Sequence, residues 1–458
     1  MAQTQSSLSE SGGLAGFFKF AENGTSLKTE IIAGLTTFVT MAYIIIVNPL
    51  TLAGPNANTG MDFGAVLMAT CLASAFATLV MGLLANYPFA LAPGMGLNAF
   101  FTYGLVGAMG LPWQVALGAV FISGCIAVLV TLTGIRETII RAIPMPLKAA
   151  TGAGIGLFIA FIGLKNAGII VDNPATFVAL GKMSDPHVLL AVFGLIITGI
   201  LLVRRVTGSI ILGILITTVL GLFVPAGDGK MITNFVPGAF GIFDKPPAIT
   251  PGLFKLDIAG ALKFSLFAPI FSLFFVDLFD TIGTFVGVAS KTGMIDEHGN
   301  LKRGSRALFA DSLGTIIGSL LGTSNTTTYV ESAAGVNAGG RTGMTSVVVA
   351  ILFLLSTFLS PVVLAVPAVA TAPALILVGV LMCSVLKEID WEDVFIAIPA
   401  FLTVIMMPLT FSIATGLAVG FVTYVLLALL SGRGKEVHWF MYVLGVLFII
   451  YFAVQAGV

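Results

Sequence analysis

Two carboxylic acids lie in the middle of one of the most hydrophobic stretches of the chain. Asp277 and Asp280 fall within FSLFFVDLFDTIGTFVGVA, and a third acid, Glu331, follows the next apolar run. An acid at the centre of a membrane-spanning helix costs about 2.5–3.5 kcal/mol on insertion scales, so it rarely occurs there without a partner, a wet cavity or a substrate. Asp277, Asp280, Thr281 and Thr284 recur at spacings of three and four, which places them on one helical face. These acids mark the expected working site.

A polar stripe of this kind can also be a seam between packed helices, and for Asp280 alone this alternative stays open. Asp311, in the ninth apolar run, is expected to be structural, pairing with Arg306 or capping a neighbouring helix. The three cysteines lie inside apolar runs without metal-ligand spacing, so neither a metal site nor a cofactor is expected.

The composition indicates a polytopic membrane protein. Of the 458 residues, 57% are hydrophobic and only 9% are charged, which is too apolar for a water-exposed surface on a chain of this length. Apolar runs of about 16 to 25 residues recur, and a span needs roughly 20. They fall near 28–50, 64–85, 95–107, 112–133, 149–164, 187–203 and 207–225, then near 264–289, 304–322, 331–338, 343–366, 373–386, 393–408 and 410–431.

Seven runs in each half predict an inverted repeat, because an odd number of crossings makes the second half enter from the opposite side. The segments LLANYPFALAPGMGLNAFF and LLGTSNTTTYVESAAGVNAGG occupy matching positions and contain the tetrads Gly96-Leu97-Asn98-Ala99 and Gly335-Val336-Asn337-Ala338. Pro and Thr residues favour an extended stretch in each, followed by a half-helix that begins inside the membrane. The predicted fold is an all-α membrane protein of 7+7 inverted repeats with two discontinuous half-helices.

Basic residues set the expected orientation. With a cytoplasmic N-terminus, 15 of the 21 Lys and Arg residues fall on the cytoplasmic side and six outside, as the positive-inside rule requires. The polar segment 1–27 carries no secretory signal pattern. The last apolar stretch, within 436–458, is open to two interpretations, a further span or a surface helix. The formal net charge of zero excludes a nucleic-acid partner.

Four segments of the chain resemble the AzgA-like hypoxanthine, adenine and guanine permeases of the nucleobase–ascorbate transporter superfamily. These are FFKFAENGTSLKTEIIAGLTTFVTMAYIIIVNP, APGMGLNAFF, FFVDLFDTIGTFVGVA and TTTYVESAAGVNAGGRTG, in the same order as in the family. The resemblance implies a core domain and a gate domain. Their expected boundaries are 28–148 and 257–368 for the core and 149–256 and 369–435 for the gate, with a homodimer formed through the gate.

The resemblance also implies the substrate-binding residues. Asn98, Asp277 and Glu331 are expected to hold the purine, with Gly96 beside them and with Asp280 and Thr281 in proton-coupling or supporting roles. The motif departs from uracil and xanthine permeases of the wider superfamily, in which an Asn follows the acidic or amide residue; here Ser332 follows Glu331. Substrate details of those relatives are therefore not carried over.

Elementary chemistry fits a neutral purine independently. Carboxylates accept ring N–H groups, backbone amides donate to ring acceptors, and aromatic faces stack on the ring. Burial favours the protonated form of a carboxyl group, so one acid is expected to carry a proton and make the protein a purine–proton symporter of the plasma membrane.

Three rival functions are weighed against this one. An anion transporter of the same architecture is disfavoured by the crowded acids. An intramembrane aspartyl protease needs acids on facing helices and a GxGD motif, which is absent. A channel predicts flux without coupling to protons, and the absence of a P-loop motif argues against ATP as the energy source.

Overall fold

The helices of the protein follow the apolar runs of its sequence in order. The computed structural model describes residues 13–133, 142–226, 230–233, 243–289, 294 and 301–456. The first half contains α1 (Leu14–Phe18), α2 (Leu27–Met41), α3 (Ile44–Ala53), α4 (Phe63–Val80, continued by a π-helix over Met81–Ala85), β1 (Leu91–Pro93), α5 (Met95–Ala99, continued by a π-helix over Phe100–Ala108), α6 (Trp113–Thr133), α7 (Met145–Asn166), β2 (Ile170–Asn173), β3 (Phe177–Leu180), α8 (Pro186–Val203) and α9 (Ser209–Gly221).

The second half repeats the pattern. It contains α10 (Ile258–Ala261), a 3-10 turn (Phe264–Leu266), α11 (Phe267–Ala289), α12 (Gly304–Leu321), β4 (Thr326–Thr328), α13 (Ser332–Asn337), α14 (Gly343–Ser356), a 3-10 turn (Thr357–Leu359), α15 (Ser360–Ala365), α16 (Ala368–Met382), a 3-10 helix (Cys383–Glu388), α17 (Val394–Leu409), α18 (Ile413–Leu430), a 3-10 turn (Gly434–Glu436) and α19 (Trp439–Ala456).

Each of the predicted apolar runs holds a helix, so the fold-class prediction is confirmed. Within the described part of the chain, nine helices are long and apolar enough to cross a membrane, while others, such as α9 and α17, are shorter. Several helices begin where a side chain accepts the first free backbone N–H group. Ser26 accepts from Thr29 in α2, and Asp62 accepts from Ala65 in α4.

Two short strands interrupt the helical pattern at membrane depth. β1 and β4 pair antiparallel, with Leu91 opposite Thr328 and Pro93 opposite Thr326. Each strand leads into a short helix, α5 after β1 and α13 after β4. The prediction of an extended stretch followed by a half-helix in each repeat is confirmed.

The helices pack in two groups. In the first, called the core below, α12 packs on α4 and α6, α14 packs on α2 and α4, and α11 packs on α6. In the second, called the gate below, α7 packs on α16 and α17, α17 packs on α18, and α8 packs on α9 and α16. The half-helices α5 and α13 belong to the core, and α5 also contacts α7 of the gate.

The contacts of helix α19 show how the last apolar stretch packs against the rest of the protein. Tyr442, near its start, donates to the carbonyl of Gly434 just after α18, at 2.7 Å. Tyr451, near its end, lies 3.4 Å from the Thr415 hydroxyl at the start of α18. The helix therefore runs antiparallel along the length of α18, as a further span would.

The hairpin of β2 and β3 and the anchoring of α14 are features that the sequence pattern did not predict. The hairpin fills the connection between α7 and α8, with Ile170 opposite Leu180. Glu30 of α2 is fully buried and accepts bonds from the backbone N–H groups of Arg341 and Thr345 at 2.9 and 3.1 Å, which fixes α2 to the start of α14.

Candidate functional site

The antiparallel crossing of β1 and β4 is the frame of the site. The backbone N–H of Gly94 donates to the carbonyl of Asn325 at 2.9 Å, and that of Tyr329 donates to the carbonyl of Ala90 at 2.9 Å. The Tyr329 hydroxyl donates to the Pro93 carbonyl at 2.5 Å. These bonds satisfy backbone groups that lipid cannot, which is the condition for irregular chain inside a membrane.

Glu331 stands at the end of the second crossing strand, directly before α13. Its side chain is partly exposed, and its Oε1 accepts a bond of 2.6 Å from the hydroxyl of Tyr43. Tyr43 occupies the break between α2 and α3. Asp280 of α11 is also partly exposed and lies within electrostatic range of Glu331. The structure packs α11, which carries Asp280, against α13, which Glu331 directly precedes.

Asp277 lies one turn earlier on α11 and is buried, with 3% of its surface exposed. Its Oδ2 accepts bonds from the Thr315 hydroxyl at 3.1 Å and the Asn325 amide at 3.2 Å. Its Oδ1 is buried and has no hydrogen-bond partner in the described part of the chain. Asp277 therefore keeps one oxygen free to accept a donor.

Asn98 of α5 is fully buried. Its side-chain oxygen accepts a bond from the Ser324 hydroxyl, and its amide nitrogen makes only a long contact of 3.5 Å with the Pro93 carbonyl. Ser324 and Asn325 are neighbours in sequence, so one segment just before β4 contacts both Asn98 and Asp277. This segment therefore links the two predicted site residues through hydrogen bonds from adjacent residues.

Thr281 links α11 to α12 and β4. Its hydroxyl donates to Asp311 Oδ2 at 2.8 Å and lies 3.0 Å from the Thr327 hydroxyl. Thr328 donates to the other oxygen of Asp311 at 2.9 Å. Asp311 is thus held by hydroxyl groups from two elements, as a structural residue would be.

Gly96 is the point where the core approaches the gate. A Cβ atom at this position would lie 2.3 Å from Cγ2 of Ile155 in α7, closer than real side-chain atoms come. Only glycine permits this contact without displacement of one of the two helices.

The polar groups that contact the site acids are neutral. Tyr43, Thr315 and Asn325 supply two hydroxyl groups and one amide. Among the residues that the structure describes, no group of three or more His, Cys, Asp or Glu side chains could hold a metal ion. The arrangement can bind a neutral molecule that offers N–H donors to carboxylates.

Sequence reasoning missed several residues that contact the predicted site. Tyr43 lies in a long apolar run whose pattern predicts one continuous span. The polar hydroxyl of a tyrosine inside that span was a signal that it binds a polar partner. The polar run before Glu331 was interpreted only as extended backbone, whereas its side chains bind those of the site. The missed residues are Tyr43, Thr315, Ser324, Asn325 and Tyr329.

Comparison with known proteins identifies the family. A xanthine/uracil permease model, described as "Permease family", matches residues 28–419. The chain belongs to this permease family. The predicted resemblance to the AzgA-like permeases is confirmed, and the chain is a multi-pass membrane transporter rather than an enzyme.

Relatives match this chain over nearly their whole length. The guanine/hypoxanthine permease PbuG of Bacillus subtilis is 50% identical, covering 95% of this chain and 98% of its own. The adenine permease AdeP of Escherichia coli is 45% identical, covering 96% of each chain. A permease of Methanocaldococcus jannaschii, whose name states no substrate, is 56% identical over 96% of this chain and 98% of its own.

Solved structures share the fold at low sequence identity. The transmembrane domain of the cyanobacterial bicarbonate transporter BicA has a TM-score of 0.64 and 16% identity, covering 85% of this chain and 97% of that one. The structure of SLC26A9 has a TM-score of 0.59 and 12% identity, covering 88% of this chain and 65% of that one. At this identity the likeness concerns the core-and-gate fold alone.

Proposed function

We propose that the permease imports purine nucleobases, namely guanine, hypoxanthine or adenine, by proton symport with alternating access. Relatives named for these bases are 50% and 45% identical to the chain. The observation that carries the proposal is the position of Asp277, which is buried beside the crossing of β1 and β4, accepts a bond from Asn325 just before β4, and keeps an Oδ1 atom without a partner in the described part of the chain.

The binding residues follow from hydrogen-bond capacity. Glu331 accepts one ring N–H of the purine, and Oδ1 of Asp277, which lacks a partner in the described structure, accepts another. Asn98 supplies an amide that both donates and accepts. Its nitrogen makes only a 3.5 Å contact in this state, so it is available to a ring acceptor.

Proton coupling is assigned to Asp280. It lies within electrostatic range of Glu331 and of Asp311, and a fourth acid, Asp277, is one helical turn away. Like charges so close together in a low-dielectric setting favour retention of a proton. Protonation from outside makes the group competent for a neutral base, and deprotonation inside promotes release.

Alternating access fits the burial of two site residues. Asn98 is fully buried and Asp277 nearly so, and a base reaches them only if the core moves relative to the gate. The tight contact of Gly96 with Ile155 lies on that boundary. The proposed domains are 28–148 with 257–368 for the core and 149–256 with 369–435 for the gate. One face of gate helix α8 exposes apolar side chains and offers a surface for the expected homodimer.

The proposed location is the plasma membrane, with the N-terminus in the cytoplasm. Five basic residues that the sequence assigns to the cytoplasmic side line a single pocket: Lys19, Lys302, Arg303, Arg306 and Arg341. Their clustering at one end of the molecule supports the orientation that the positive-inside rule requires.

An anion transporter shares the fold, but the site chemistry opposes it. The bicarbonate transporter is similar at 16% identity, which concerns the fold alone. Three acids crowd the site, and the groups that hydrogen-bond to Glu331 and Asp277 in the described structure are neutral hydroxyls and an amide. Negative groups in a low-dielectric site repel anions.

Uptake of labelled hypoxanthine into proteoliposomes, with guanine and adenine as competitors, tests the substrate class. Uptake is expected to rise as outside pH falls and to collapse when a protonophore removes the gradient, without dependence on sodium. Asp280→Asn, which mimics a permanently protonated acid, is expected to retain exchange of internal for external purine but lose accumulation.

The matched control is Asp172→Asn on the exposed hairpin, which removes the same charge far from the site and is expected to accumulate purine normally. If Asp280→Asn concentrates purine as well as the parent, the coupling role belongs to another acid. If none of the three bases competes with the label, the proposed substrate class is wrong.

A further inference from the structure

A second concave region lies away from the carboxylates, at the end of the molecule assigned to the cytoplasm. It is a pocket of about 600 Å³, a size within the range of ligand sites. Its charged lining consists of five cations and one acid, and it is called the basic pocket below: Lys19, Lys302, Arg303, Arg306, Arg341 and Glu22.

The charges of the basic pocket do not balance. Its one acid, Glu22, is bonded by Lys19 at 2.9 Å. The remaining four cations have no carboxylate partner among the residues that the structure describes. Within the described ranges, the side chains of Arg303 and Arg341 donate to backbone carbonyls alone, and those of Lys302 and Arg306 make no hydrogen bond. Four facing cations repel one another, so an anion between them is electrostatically favoured.

The pocket is also held in place before any ligand arrives. The guanidinium of Arg303 lies 4.7 Å from the ring centroid of Tyr87, and the Arg303 backbone N–H donates to the Tyr87 hydroxyl at 3.1 Å. Arg341 donates to the carbonyls of Val336 and Gly340 at 2.6 and 2.7 Å. A fixed, concave group of arginines differs from a merely solvated basic face, because its donors are already oriented for an oxyanion.

We propose that the basic pocket binds a phosphate-bearing anion. Planar guanidinium groups match the oxygen geometry of phosphate, and flexible Lys302 and Arg306 are free to close on it. The ligand is either a soluble phosphate compound of the cytoplasm or the headgroup of an anionic phospholipid.

Such a ligand would join parts that move with the site. Tyr87 lies shortly before β1, and Arg341 lies shortly after α13. Between them, Asn86 accepts a bond from the Gly343 N–H at 2.6 Å and donates to the Phe18 carbonyl at 3.1 Å. A ligand in the pocket therefore connects the N-terminal segment to the chain just before β1 and to the chain just after α13.

Titration calorimetry with inorganic pyrophosphate and the purified full chain tests the soluble source. The parent is expected to bind, and more weakly as salt is added. The double variant Lys302→Gln, Arg306→Gln is expected to lose about tenfold or more in affinity, since two charge-assisted contacts disappear. The matched control, Arg204→Gln with Lys435→Gln, removes the same two charges from exposed positions elsewhere and is expected to bind like the parent.

Nanodiscs test the lipid source. A shift of unfolding temperature in phosphatidylglycerol relative to phosphatidylcholine that disappears in the Lys302→Gln, Arg306→Gln variant assigns the pocket to a lipid headgroup. Should the double variant fold poorly, Arg306→Gln alone is expected to show the same change in smaller degree. Equal responses of parent and variant to both probes, or no response of the parent to either, overturn the proposal.

Discussion

Asn98 and Asn337 occupy matching positions in the tetrads of the two half-helix regions, yet their surroundings differ. Asn98 is fully buried and bonded by Ser324, whereas Asn337 is exposed. The chain after β1 stays helical from Met95 to Ala108, while α13 after β4 ends at Asn337. The two halves thus share the order of strand and half-helix, but they differ in the length of the helix and in the environment of its side chains.

The glycines of the two tetrads differ in the same way. Gly96 packs against Ile155 of the gate, whereas a Cβ on Gly335 would lie 2.0 Å from the Thr37 hydroxyl oxygen and 2.5 Å from the Ala33 carbonyl, both within the core. The first half-helix therefore reaches the boundary between core and gate, and the second is anchored inside the core. The second region instead contributes an acid, Glu331, at the entry of its helix. The two half-helix regions share a backbone scaffold, whereas the residues proposed to form the site differ between them.

The largest expected effect on purine affinity comes from replacement of Glu331, the acid that only the second half-helix region has. Glu331→Ala removes a charge-assisted acceptor, and bonds to charged groups contribute about 1.5–3 kcal/mol each. Loss of this one bond to the base predicts about a 10- to 100-fold weaker purine affinity, measured by equilibrium binding to the purified protein. Replacement of Val330, the exposed neighbour, by Ala is the control and is expected to bind normally. Unchanged affinity in Glu331→Ala would show that the second region does not bind the base.

The two asparagines give the next comparison. Asn98→Ala is expected to weaken purine binding by about 1–3 kcal/mol, because a buried amide loses its contact with the base. Asn337→Ala, the matched change in the exposed tetrad, is expected to leave affinity unchanged. Binding and unfolding temperature are measured together. A lower unfolding temperature with normal affinity would assign Asn98 to packing instead.

Alanine variants of the two paired glycines distinguish an effect on transport from an effect on stability. Gly335→Ala forces a methyl group onto a core carbonyl and is expected to lower stability by about 1–3 kcal/mol. Gly96→Ala meets a methyl group of Ile155 rather than backbone, so it is expected to disturb the core–gate contact and slow transport about tenfold with less change in unfolding temperature than Gly335→Ala. Uptake rate and thermal unfolding measured on both variants test this. Equal losses of stability would place Gly96 in a purely structural role.

Sequence patterns predicted the spans well because lipid imposes a strong constraint on composition and length. The two segments in which a strand precedes a half-helix were also predictable. Pro88 and Pro93 exclude a continuous helix in the first, and a polar run surrounds Thr326 in the second. The π-helix after α5 and the hairpin of β2 and β3 were not, because both depend on local hydrogen bonding with no periodic signal.

The acids at the site were predictable from their cost in a membrane, but their partners were not. Tyr43 and Glu331 are separated by 288 positions in the chain. Their contact depends on how α2, α3 and α13 pack, and no local pattern encodes such a long-range contact. The same holds for Glu30, whose role at α14 depends on the packing of two distant helices.

The smallest expected effect concerns this partner of Glu331. Tyr43→Phe removes one hydroxyl that donates at 2.6 Å and leaves the ring in place. A bond to a charged group contributes about 1.5–3 kcal/mol, but the partly exposed Glu331 regains part of this from water or from the base itself. We therefore expect purine affinity to fall only about fivefold, far less than in Glu331→Ala. Tyr424→Phe, a change of the same kind in gate helix α18, is the control. A double-mutant cycle of Tyr43→Phe with Glu331→Gln measures the coupling directly. Additive losses would mean that Tyr43 affects purine affinity independently of the acid, and a shared loss would show that Tyr43, in the first half of the chain, positions the carboxylate of Glu331 in the second half.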